Sequence, residues 1–140
     1  MNSQNVYLDY PHLNAGFLEL KNRCMLTGFV DNNNRTRLLE TAHIKSRFRC
    51  TDMEENDSFN QFTLCGHVHR LYDARLINFH PFSGQLITVL NEYQLTKLGL
   101  STNMFLNVQL TDKHRHYMKQ RIDNYGDYLK ALDKHTKRVK

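Results

Sequence analysis

The chain has 140 residues, 40% of them hydrophobic, with a formal net charge of +5 and three cysteines. That length suits one domain with a modest core, and the composition is that of a globular rather than a disordered chain. Apolar runs of only a few residues exclude a membrane-spanning helix, and three cysteines without a CxxC pair exclude a four-cysteine zinc knuckle and disfavour a disulfide framework.

The first residues, MNSQNVYLDYPHLN, lack the basic and apolar regions of a signal peptide, so an intracellular protein without a membrane partner is expected. Residues 13–23 predict a short helix with Phe17, Leu18 and Leu20 inward. TGFVDNNNRT, residues 27–36, is rich in the Gly and Asn that tolerate turn conformations. RLLETAHI, residues 37–44, predicts a strand. KSRFRCTDMEENDSFNQ, residues 45–61, is polar and without a clear period, and predicts a loop. FTLC, residues 62–65, predicts a second strand. In GHVHRLYDAR, residues 66–75, Val68, Leu71 and Tyr72 stand at helical spacing.

LINFHPFSGQLITV, residues 76–89, predicts a hairpin around a Pro and Gly turn. EYQLTKLGL, residues 92–100, predicts a short helix ending at Gly99. Thr111 is a good N-cap, from which one or two helices are expected, with Tyr117, Met118, Ile122, Tyr125, Tyr128, Leu129 and Leu132 apolar. The middle of the chain therefore predicts a ββα unit within one small α+β domain.

Charge is unevenly placed. Residues 1–110 hold ten basic and ten acidic residues, whereas residues 111–140 hold nine basic and four acidic ones. A second basic cluster, Arg35, Arg37, Lys45, Arg47 and Arg49, precedes the acidic Asp52, Glu54, Glu55 and Asp57. Basic faces attract phosphate chains through counterion release, but charge alone favours the reading of a solvated surface.

The chemistry-bearing residues fall in the ββα segment. His43 stands near the end of the first strand. His69 and Asp73 stand one turn apart on the helix, share a face and can grip one divalent ion from the same side. Asn60 precedes His69 by nine residues. In CMLTGF, LLETAHIKSRF, NQFTLCGHVHRLYDARL and the following ITV, the chain resembles the HNH endonuclease family. It is most similar to a branch with a C-x-x-TG start, an A-A-H-I strand and an N-G-L-x-L-x-x-x-x-H-x-L-F-D close. Cys24, Thr27 and Gly28 match the first part; Thr41, Ala42, His43 and Ile44 the second; Asn60, Leu64, His69, Leu71, Tyr72 and Asp73 the third.

The resemblance implies a metal-dependent DNA endonuclease built round a ββα-metal motif at about residues 24–89, leaving 5′-phosphate and 3′-hydroxyl ends. It implies His43 as general base, a role suited to an imidazole whose unperturbed pKa lies near about 6.5. It implies Asn60 as the residue pinning the loop between the strands, and His69 as a metal ligand with Asp73 as a second. Many family members carry an Asp or His ligand just before the base, where this chain has Ala42. Glu40 lies on the face of Ala42 by strand parity and is a further candidate ligand.

The expected cofactor is one divalent ion, Mg²⁺ or Mn²⁺ on an oxygen-rich, water-completed site, with the imidazole also admitting Zn²⁺ or Ni²⁺. Lys45, Arg47, Arg49 and Arg70 flank the site as candidate DNA phosphate contacts. A homodimer on a short palindrome and a restriction or defence role fit a chain of this size; RNA stays open as a substrate. The rival reading is a ββα nucleic-acid-binding or interaction module without turnover. A structural zinc site of Cys24, Cys50, Cys65 and His67 requires the fold to gather them. On the simpler reading Cys24 and Cys65 are small buried hydrophobes and His67 lies at the helix start or on the surface.

Overall fold

The structure, a computed structural model, describes residues 22–31 and 37–121. The helix expected at residues 13–23 and the apolar positions from Ile122 onward lie largely or wholly outside these residues. The elements are β1 (Leu39–His43), α1 (Asp52–Glu55), β2 (Gln61–Cys65), α2 (Gly66–Asp73), β3 (Ile77–Phe79), β4 (Leu86–Thr88), α3 (Glu92–Lys97) and α4 (Asp112–Arg121). Strands and helices make a small α+β fold, as expected. Among the described residues no helix is long and apolar enough to cross a membrane.

β1 and β2 form an antiparallel pair in which Glu40 faces Leu64, Ala42 faces Phe62 and His43 faces Gln61. Successive side chains point to opposite faces, so Ala42, Phe62 and Leu64 are buried on one side. α2 covers that side with Val68 and Tyr72, one turn apart and both buried. The core closes with aromatic rings at edge or tilted angles. Phe62 lies 6.1 Å from Tyr72 and 5.9 Å from Phe79, and Tyr72 lies 5.4 Å from Phe79. Phe79 comes from the expected hairpin, β3 paired antiparallel with β4. Its turn needs Gly84, whose φ is +76° and whose missing Cβ leaves room for Leu106, at 3.2 Å from where that atom would stand.

Residues 45–61 depart from the expected irregular loop. They contain a 3₁₀ turn at Arg47–Arg49, the helix α1 and a second 3₁₀ turn at Ser58–Asn60. Local capping explains this where periodicity is silent. The Thr51 hydroxyl accepts from the Glu54 N–H and the Glu54 carboxylate accepts from the Thr51 N–H, a reciprocal capping box. The Asp57 carboxylate likewise accepts from the Phe59 N–H. Before β1, Arg23 bridges Val30 around a turn at Cys24–Gly28, so the segment expected as a plain turn begins as a small antiparallel knuckle.

Thr111 stands just before α4, as expected, its hydroxyl accepting from the His114 N–H at 3.4 Å, and α4 packs on the turn at Asn60. Tyr117 Oη donates to Asp57 Oδ2 at 2.7 Å, and His114 lies between the Phe59 and Phe62 rings. That hydrogen bond holds the Asp57 carboxyl below its usual range and pushes Tyr117 up to about 12. The His114 Nδ1 accepts from the Thr111 N–H at 2.9 Å, and burial, with nearby Arg115, lowers its pKa despite the opposing charge of Asp57. A histidine held neutral by the fold binds its proton more readily when unfolded. Its contribution to stability is therefore present above the unfolded pKa and is lost as pH falls from about 6.5 toward the folded value. Urea midpoints measured between pH 7.5 and pH 5 are expected to fall more steeply for the wild type than for His114→Gln.

Candidate active site

The candidate residues form two groups, each made by a different part of the ββα unit. The first is organised by Asn60, which is fully buried. Its Oδ1 accepts from the Lys45 N–H at 2.8 Å, while its Nδ2–H₂ donates to the Glu54 carbonyl at 3.0 Å and to Cys50 Sγ at 3.3 Å. Its own carbonyl accepts from the Ile44 N–H, and its N–H donates to the Asp57 carbonyl. One side chain at the end of the loop thus ties the residue after Ile44 to the middle of that loop.

The loop so held presents the Glu55 carbonyl to His43. His43 Nε2 lies 2.9 Å from that oxygen. A carbonyl only accepts, so Nε2 carries the hydrogen, and the neutral ring keeps its lone pair on Nδ1. The Glu55 carbonyl also accepts from Gln61 Nε2 at 2.9 Å, and Gln61 is the cross-strand neighbour of His43. Sequence reasoning missed both Glu55 and Gln61, because a backbone acceptor leaves no mark in residue identity.

The second group lies on α2 and β1. His69 and Asp73 share a helical face: Nε2 and Oδ2 are 3.1 Å apart. Glu40 reaches His69 from the strand, with Oε1 2.8 Å from Nδ1. The three side chains run in a line along the imidazole rather than converging. Among the described residues, no group of three His, Cys, Asp or Glu side chains could together hold an ion. Donors about 2.1 Å from one ion and at right angles stand about 3.0 Å apart. His69 Nε2 and Asp73 Oδ2 are spaced for adjacent positions on one divalent ion, and an imidazole with a carboxylate is a donor set for such an ion. The Glu40 carboxylate then accepts Nδ1–H, the arrangement in which an acid orients an imidazole ligand from behind.

The basic residues are less free than their sequence suggests. Lys45 Nζ is 2.9 Å from Glu54 Oε1 with its side chain 13% exposed, and Arg47 Nε is 3.1 Å from Glu55 Oε2. Arg49 donates to the Gln120 carbonyl at 3.3 Å. Arg70 is exposed and makes no ion pair among the described residues. Cys24 and Cys65 lie together, Cys24 Sγ accepting from the Cys65 N–H at 3.3 Å, but Cys50 sits at Asn60 and His67 is exposed, so the four are not gathered.

No hydrogen bond joins His43 to His69 or Asp73. The two groups are linked instead through Arg121, at the end of α4 and only 6% exposed. Its guanidinium donates to the carbonyl of Ile44, next to His43, at 3.0 Å and to the carbonyl of Tyr72, next to Asp73. It also donates to Asn78 Oδ1 at 3.2 Å and stacks 3.6 Å from the Tyr72 ring centroid. A planar fork with five donors suits this bridging.

The profile of the HNH endonucleases matches residues 24–80, a segment that carries His43, Asn60 and His69. Over that segment the chain is similar to the HNH endonucleases. No curated protein matches the chain. That likeness supports a nuclease acting on nucleic acid.

Replacing Arg121 leaves the Ile44 carbonyl and the half-buried Asn78 Oδ1 without this donor, whereas the Tyr72 carbonyl keeps the Arg75 N–H. Each such group costs about 1–3 kcal/mol. Arg121→Met is expected to lower unfolding stability by at least about 2 kcal/mol in urea titration, against well under about 1 kcal/mol for the exposed Arg70→Met.

Proposed function

We propose that the chain is a metal-dependent DNA endonuclease in which His43 is the general base and His69 and Asp73 hold one divalent ion. The observation that carries this reading is the His43 hydrogen bond to the Glu55 carbonyl, which leaves Nδ1 as the ring's open acceptor. Water bound at Nδ1 gives up a proton to it as the water oxygen attacks phosphorus. The bond from phosphorus to the 3′ oxygen breaks, its electron pair stays on that oxygen and a proton from solvent completes it, leaving a 5′-phosphate and a 3′-hydroxyl. Asn60 keeps the Glu55 carbonyl in place, so its role is to position the base.

A bound Mg²⁺ or Mn²⁺, or equally Zn²⁺ or Ni²⁺, supplies Lewis-acid stabilisation of charge on the phosphate and the leaving oxygen. Glu40 orients His69 and is not itself a ligand in this reading. Arg70 and Arg49 make phosphate contacts directly, while Lys45 and Arg47 exchange Glu54 and Glu55 for phosphate when DNA binds. A homodimer acting on a short palindrome, in restriction or defence, is the setting we favour on the resemblance. The rival, a ββα module without turnover, draws on Ala42 at the usual ligand position and on the two carboxylates already engaging His69.

Plasmid cutting separates the two. The wild type is expected to cut supercoiled DNA with Mg²⁺ or Mn²⁺ and to stop with chelator. His43→Ala is expected to lose roughly 10²–10⁴ in rate with Mn²⁺ affinity nearly unchanged. His69→Ala and Asp73→Ala are expected to weaken Mn²⁺ binding in calorimetry. Absence of cutting by the wild type with every one of these metals would favour the inactive module.

A further inference from the structure

Phe48 is 100% exposed, although it sits in an ordered turn. The 3₁₀ turn Arg47–Arg49 is closed by the Arg49 N–H to the Ser46 carbonyl at 2.9 Å and the Cys50 N–H to the Arg47 carbonyl at 3.2 Å. Cys50 Sγ adds a bond to the Lys45 carbonyl at 3.4 Å, and Asn60 holds both Lys45 and Cys50. The ring is therefore presented by a braced backbone, with no packing to show for it. On either side stand Arg47 and Arg49, both exposed. Arg47 pairs with the carboxylate of Glu55, whose carbonyl holds His43, so the turn is mechanically continuous with the proposed base.

An exposed aromatic between two arginines, braced against a nuclease site, matches the physics of a base-stacking wedge. The guanidinium groups take backbone phosphates, and the apolar ring enters between bases that have lost their stack. The acidic residues that follow oppose this in part: Asp57 accepts from Tyr117, but Asp52 stands at the start of α1, and Glu54 and Glu55 give up Lys45 and Arg47 when phosphate is bound. Met53, 85% exposed in the same loop, is another side chain of the wedge type.

We infer that Phe48 stacks on a DNA base unstacked beside the cleavage site, and that the chain therefore prefers duplexes whose bases open easily, such as those with a mismatch. Unstacking a mismatched base costs least, so the wedge is most favoured there. The inference rests on the nuclease reading of this site.

The test uses full-length His43→Ala protein, so that DNA survives, and short duplexes with 2-aminopurine beside a central mismatch or a matched pair. Binding is followed by anisotropy and base opening by 2-aminopurine fluorescence. The mismatched duplex is expected to bind several-fold tighter than the matched one, with a rise in fluorescence. Adding Phe48→Ala is expected to weaken binding to the mismatch roughly ten- to hundredfold and to abolish the rise, whereas Phe48→Trp retains both. Binding by the His43→Ala protein and cutting by the protein with His43 intact that are both indifferent to Phe48→Ala would overturn the wedge and leave the nuclease reading standing. No DNA binding by any variant would overturn both. A shift from dimer to monomer with Phe48→Ala in sedimentation, without an effect on DNA, would assign the ring to a contact between copies and overturn the wedge.

Discussion

The proposed site depends on the carboxamide of Asn60. A fully buried amide must satisfy its donors and acceptor within the protein, and here they are satisfied by Lys45, Glu54 and Cys50. These partners come from the start and the middle of a loop with little apolar content, which has no core of its own to order it. The amide replaces that missing core. Through it the Glu55 carbonyl acquires a fixed position, and through that carbonyl the His43 ring acquires a fixed tautomer. Asp57, bound to Tyr117, docks the same loop on α4.

The half proposed to hold the metal is built on a different principle. His69 and Asp73 need only helical geometry to share a face, and β1 supplies Glu40 behind the ring. What local geometry does not provide is the relation between the halves. Arg121 provides it by holding the carbonyls of Ile44 and Tyr72 on one guanidinium. α4 therefore contributes to the site without lending it a reacting group. The charge of this helix is also partly internal: Arg121 is buried and Arg115 lies over the Phe82 ring while pairing with Asp112.

Elements whose signal is local were legible in the sequence. The strands around His43 and Phe62, the helix of Val68 and Tyr72, the hairpin and the helix stopped by Gly99 all follow from short-range periodicity and turn chemistry. α1 was missed because its signal is a capping box, Thr51 with Glu54, in a stretch without apolar period. Strand parity put Glu40 on the right face but could not say which helical residue passes over it. Arg121 contacts Ile44 from 77 residues away, and nothing in a basic, polar-looking tail marks Arg121 as turning inward. The expectation that Lys45 and Arg47 are open to phosphate overlooked their carboxylate partners, which lie eight or nine residues on across an unperceived helix.

The account turns on the state of one imidazole. Long-range proton–nitrogen spectra of ¹⁵N-histidine-labelled protein, with His43 assigned by comparison with His43→Ala, report which ring nitrogen bears the hydrogen. Above its titration, the His43 signal is expected to show a protonated Nε2 and an unprotonated Nδ1. Asn60→Ala is expected to average the two forms as the loop loses its anchor. A wild-type ring protonated on Nδ1 would contradict the assignment of His43 as the base.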